Sequence, residues 1–170
     1  MNRKGITLIE LLVVISVIGI LAIALGFSFQ GWKGRYQVEG AAKTLYSDLM
    51  TARTLAMQRN STYLAALTAT SYQVARDANG NLGIDAGEAI PGYTAAKATG
   101  YTITGAPVTL AFSDRGIIST VAGGALQPID PLTPLTLNLV STSNPDYDCI
   151  VINATKIDLG KFSGGACGVQ

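Results

Sequence analysis

Residues 5–32 read GITLIELLVVISVIGILAIALGFSFQGW, and their reading decides the fold. From Leu11 to Trp32 there is no charge. As a helix rising 1.5 Å per residue, that run spans about 33 Å, enough for a hydrocarbon core of about 30 Å. Arg3 and Lys4 precede it, and basic flanks stay on the cytoplasmic side. The chain from Lys33 onward is therefore expected outside the cytoplasm. A secretory signal peptide shares the basic start and would end at a small-residue step such as Ala22-Ile-Ala24. Its apolar region is shorter than this one, and Glu10 argues against it. An ionisable group at the edge of a membrane segment is expensive and marks function.

Composition narrows the rest. The chain has 170 residues, a net charge of +1 and only 14% charged residues, with a mean hydropathy of +0.34. That length gives one domain with an appended arm. The absence of histidine removes imidazole metal sites and His-based triads. Two cysteines are too few for a four-thiolate zinc site or an iron–sulfur cluster.

Gly5-Ile6-Thr7-Leu8-Ile9-Glu10 followed by LLVVISVIGILA resembles the class III signal of type IV prepilins and pseudopilins. The resemblance implies a leader over residues 1–5, cut by prepilin peptidase between Gly5 and Ile6, with N-methylation of Ile6. It gives Glu10 an assembly role, pairing with the N-terminal amine of a neighbouring subunit. Many relatives carry Phe where Ile6 stands and a proline near Phe27; this chain has neither, so bending there would fall to Gly26 and Gly31. The implied partners are the peptidase, other pilin or pseudopilin subunits, and inner-membrane lipid before assembly. Residues 47–60 (SDLMTARTLAMQRN) and Phe112-Ser-Asp-Arg-Gly116 resemble the H-type, GspH/FimT-like branch of minor pseudopilins.

Downstream, Val38, Ala42, Leu45, Leu49, Ala52 and Ala56 recur at spacings of four and three, one face of a helix. Glu39, Lys43, Asp48 and Arg53 fall largely away from that face. One helix is expected from about Ile6 to Gln58, its assembly half at 6–32 and its amphipathic half at 33–60. After Asn60 the pattern changes to short β-like runs at 62–68, 71–76, 101–104, 108–112, 135–140, 149–153 and 156–159. Residues 123–134, rich in Gly and Pro, are expected as a surface loop. The fold class is α+β: a long N-terminal transmembrane and amphipathic helix packed on an antiparallel β-sheet head at 61–170, as in type IV pilins.

Four features of the chain beyond the apolar run bear on its chemistry. Asp77, Asn79, Asn81, Asp85 and Glu88 occupy positions 1, 3, 5, 9 and 12 of a calcium-loop pattern, but Leu82 stands where that pattern needs glycine. A polar hairpin loop built on Asx turns reads the same residues without a metal. Cys149 and Cys167 are expected to pair in an oxidising compartment, as C-terminal disulfide loops do among type IV pilins; two free buried thiols are the alternative. From Gln37 on, eight basic residues face ten acidic ones, a poor balance for DNA capture, the activity of some relatives and the alternative function. Asp114 with Arg115, or Asp146 with Asp148, lacks any nucleophile–base pair, so no enzyme activity and no cofactor are expected.

Overall fold

The computed structural model describes residues 7–169, with the backbone alone at residues 24–30. Gly5 and Ile6, the expected processing pair, lie outside the described residues.

Helix α1 spans Leu8–Arg59 without interruption. Thr7 caps its start in an extended conformation, and its side chain accepts the Glu10 N–H at 3.3 Å. Thr7 at the N-cap satisfies the N–H of the third helical residue, Glu10, which explains why the helix begins where it does. Asn60 ends it in the left-handed region, its N–H returning to the Ala56 carbonyl, a conformation that asparagine tolerates better than most residues.

Eleven strands follow among the described residues: β1 Tyr63–Leu67, β2 Ser71–Arg76, β3 Lys97–Ala98, β4 Ile103–Thr104, β5 Val108–Phe112, β6 Ile118–Ala122, β7 Ala125–Pro128, β8 Leu135–Leu139, β9 Cys149–Ile152, β10 Ile157–Ser163 and β11 Ala166–Val169. They form two sheets, ordered β3-β2-β1-β5-β6-β7 and β11-β10-β9-β8-β4, and every pairing is antiparallel. The fold is α+β, a helix on antiparallel sheets, consistent with a type IV pilin-like fold.

The helical stripe read from spacing is the helix's contribution to the core. Val38, Ala42, Leu45, Leu49, Ala52 and Ala56 are all completely buried. They pack in one cluster with Leu67, Val74, Leu110 and Phe112 of the first sheet and Leu137, Leu139, Ile150 and Ile152 of the second. The small residues on this face let the sheets approach the helix closely, and the leucines fill the space between.

The other half of α1 is different. Leu8, Ile9, Leu11, Ile15, Ile18 and Ile23 are exposed. Among the described residues no helix is long and apolar enough to cross a membrane.

Two expectations need correction. Residues 123–134 are not all loop, because Ala125–Pro128 pairs with β6 as β7. Asp48 does not face solvent; it is 9% exposed, against the head. Strand β10 also runs on to Ser163 and turns into β11. Both unanticipated hairpins turn at a Gly-Gly pair with positive φ, Gly123-Gly124 and Gly164-Gly165. That dipeptide between strand-like runs is a hairpin signal in itself.

Candidate functional site: the assembly helix and its supports in the head

At the helix start, Glu10 is exposed, and its carboxylate has no hydrogen-bond or ion-pair partner among the described residues. Its backbone is fixed by the Thr7 cap while its side chain is held by nothing nearby. Around it lie exposed aliphatic side chains on every face of the helix from Leu8 to Ile23. Such a surface is unusual for a chain that works alone in water and marks contact with lipid or other subunits.

Deeper in the head, Asp48 is the centre of a polar cluster. It accepts hydrogen bonds from the Tyr72 hydroxyl at 2.5 Å, from the Tyr93 hydroxyl, and from Lys97 Nζ at 2.9 Å. The Lys97 ammonium also lies 4.0 Å from the centre of the Tyr93 ring, in reach for cation–π attraction. The cluster fastens α1 to β2, to the edge strand β3 and to the 91–96 segment between them. Burial pushes the Asp48 carboxyl up, but the Tyr72, Tyr93 and Lys97 bonds outweigh it and hold the pKa below the usual value. Burial first, then the Asp48 bond and charge, push both tyrosines well above theirs. Sequence spacing missed this residue because an aspartate on a helix reads as solvent-facing until its partners are known.

Cys149 and Cys167 form a disulfide. Cys149 is on β9 and Cys167 on β11, and β10 runs between them, pairing with both. The bridge therefore straddles β10 at Gly160, the partner of both Cys149 and Val169. A Cβ on Gly160 would stand 2.9 Å from Cys167 Sγ and 2.4 Å from the Gly168 carbonyl oxygen. Glycine leaves the room through which the bridge passes. Asp148 supports the same corner by accepting the Phe162 N–H at 2.6 Å.

The residues with calcium-loop spacing do share one loop, but they spend their oxygens on it. Asp77 accepts the N–H groups of Gly80 and Leu82. Glu88 accepts those of Ala78 and Asp85, one on each carboxylate oxygen. The Asn79 and Asn81 amides both donate to Asp85, which holds the Asp85 carboxyl below its usual pKa. Leu82 takes up a positive φ of 60° at the position where the pattern calls for glycine. Among the described residues no group of three or more acidic or cysteine side chains is placed to hold a metal ion.

Residues 41–156 match the family described as type II transport protein GspH. The chain belongs to the GspH family. Residues 1–26 also match the prokaryotic N-terminal methylation motif, so the two matches cover the signal and most of the head. No curated protein and no solved structure matches the chain significantly. GspH proteins are pseudopilins, structural filament subunits anchored through the N-terminal helix, and the family implies association with other pilin or pseudopilin subunits. The geometry suits that work. A head held rigid by the Asp48 cluster and the disulfide carries a helix whose apolar half is left uncovered.

Proposed function

We propose that this chain is a minor subunit of a type II secretion pseudopilus or a closely related type IV filament, without enzymatic activity. Prepilin peptidase removes residues 1–5 at the Gly5–Ile6 bond, and the new Ile6 amine is methylated. Residues 6–32 hold the subunit in the inner membrane as a single pass, residues 33–60 join that segment to the head, and the head over 61–170 lies on the far side. Assembly draws the helix out of lipid into the filament, where Glu10 meets the amine of a neighbouring Ile6. The observation that carries this reading is the contrast along one helix: its apolar half is exposed while the stripe from Val38 to Ala56 is fully buried in the head. An uncovered carboxylate within an apolar helix is costly unless a cation answers it. Once Arg3 and Lys4 have left with the leader, the next basic residue is Lys33, about 35 Å along the helix from Glu10.

Against DNA capture stands the pairing of the lysines in the head and of Lys43 on the helix beside it. Lys43, Lys97, Lys156 and Lys161 each sit within 4 Å of a carboxylate, on Glu39, Asp48, Asp158 and Asp146. Cations already answered by carboxylates release few counterions on meeting a phosphate backbone.

The test has two parts. Mass spectrometry of the membrane-extracted protein should find a chain starting at N-methylated Ile6; an intact Met1 or a start near Ala24 contradicts the processing step. Glu10→Ala should still insert and be cut, yet cross-link to the major subunit less than wild type at matched membrane levels. Equal incorporation would remove Glu10 from the assembly contact.

A further inference from the structure

Helix α1 leaves its charge-free run at Trp32 and enters the core at Val38. The turn between them is built differently from the helix on either side. Trp32 and Tyr36, one turn apart, meet edge to face with ring centroids 4.8 Å apart, and each exposes more than half of its surface. Against this turn lies the segment 141–147 of the head. Gly34 permits the approach, since a Cβ there would come within 2.6 Å of Ser143 Oγ. Arg35 Nε donates to the Ser143 carbonyl at 3.1 Å, and one turn on Glu39 accepts the Asp146 N–H at 3.1 Å. The segment is thus clamped to the helix at two points. Gly31, Trp32, Arg35, Thr142 and Ser143 line an open pocket of about 400 Å³. Its lining holds an indole, a guanidinium and two hydroxyls, and no carboxylate.

We propose that this pocket is a phospholipid headgroup site. The proposal rests on the membrane-anchored reading above, because it places the pocket where the apolar run ends. Indole rings favour the headgroup level, where an apolar body and a polar N–H are both accommodated. Arg35 commits one N–H to Ser143, which fixes the guanidinium plane and leaves four N–H groups on its two terminal nitrogens for a phosphodiester. A second protein subunit could also cover an exposed aromatic pair, but a guanidinium in a carboxylate-free pocket at the end of a long charge-free run matches lipid phosphate better. The site seats the 141–147 segment on the membrane and sets the height and tilt of the head before assembly.

Trp32 is the only tryptophan in the chain, so its emission reports on the pocket without a label. The full-length protein is reconstituted into phosphatidylcholine vesicles containing phosphatidylglycerol, with spin-labelled lipids bearing the label at the headgroup or deep in the acyl chain. The expected result is co-flotation with the vesicles and stronger quenching of Trp32 by the headgroup label than by the deep label. Arg35→Gln is expected to lower the preference of labelled phosphatidylglycerol over labelled phosphatidylcholine at Trp32 about fivefold. Near-UV circular dichroism checks that the head stays packed in that variant. Where it does not, Thr142→Val, which leaves both clamps in place, serves instead and should also lower the preference. Flotation with Trp32 unquenched, or quenched mainly by the deep label, overturns the headgroup site and leaves the anchor standing. So does an unchanged lipid preference in a packed variant, or relief of quenching by millimolar inorganic phosphate. Failure to float overturns the anchored reading itself.

Discussion

Replacing Asp48 by Asn removes one charge from a site that three donors share. Asp48 is 9% exposed and receives the hydroxyls of Tyr72 and Tyr93 and the ammonium of Lys97. Hydrogen bonds to a charged acceptor are worth about 1.5–3 kcal/mol each. Breaking a buried pair by removing one partner costs about 3–5 kcal/mol. The Lys97 side chain is 37% exposed, so its share is discounted for screening by water. Asparagine retains one acceptor oxygen but turns an N–H₂ toward donors that need the other. The expected loss is about 2–4 kcal/mol, or about 5–15 °C in Tm for a chain of this size. Thermal and urea unfolding of the full chain in detergent, with the disulfide intact, measures it.

The pH dependence gives a second reading of the same variant. The folded-state pKa of Asp48 is depressed, so its contribution is present above the unfolded value of about 3.9 and is lost as pH falls through the folded value. Tyr72 and Tyr93 are raised, so their contribution is present below the unfolded value of about 10 and is lost as pH rises beyond it. Wild type should therefore lose more stability than Asp48→Asn between about pH 4 and pH 2, and again above about pH 10. A loss at neutral pH under about 0.5 kcal/mol, the usual effect of a surface change, with parallel pH curves, would refute the account of Asp48 as the tie between helix and head.

Cys167→Ser should cost about 2–5 kcal/mol in the same unfolding assay, and non-reducing peptide mapping of wild type should recover the Cys149–Cys167 peptide pair. Gly160→Ala should cost about 1–3 kcal/mol although it adds only a methyl group, because that methyl meets Cys167 Sγ and the Gly168 carbonyl; unchanged stability would mean that the bridge does not cross β10 there. Millimolar calcium should leave Tm unchanged, since Asp77 and Glu88 already hold backbone N–H groups. A site saturated a hundredfold would add about 2.7 kcal/mol, so a rise of several degrees would restore the calcium reading.

What the sequence determined by itself is what depends on local period and on the ordering of charge. The four-three spacing from Val38 to Ala56 identified the buried face residue by residue, because a helix projects such positions to one side whatever lies opposite. Thr7 carries the start of the helix in its own side chain, which caps the N–H of Glu10 three residues on. The change to short β-branched runs after Asn60 marked where the sheets begin, and the two Gly-Gly pairs held the signal for the hairpins that were not foreseen. Only the tertiary structure decided which polar residues are buried and which glycines are needed for space. Asp48 is inside because Tyr72, Tyr93 and Lys97 arrive from 24, 45 and 49 residues away. Gly160 is required because two cysteines on flanking strands reach across it, and Gly34 because Ser143 comes to rest against it. A residue's neighbours along the chain fix its local conformation and the face it lies on. They do not fix the group that will lie against that face, because chain closure over a hundred residues is set by the packing of the whole core.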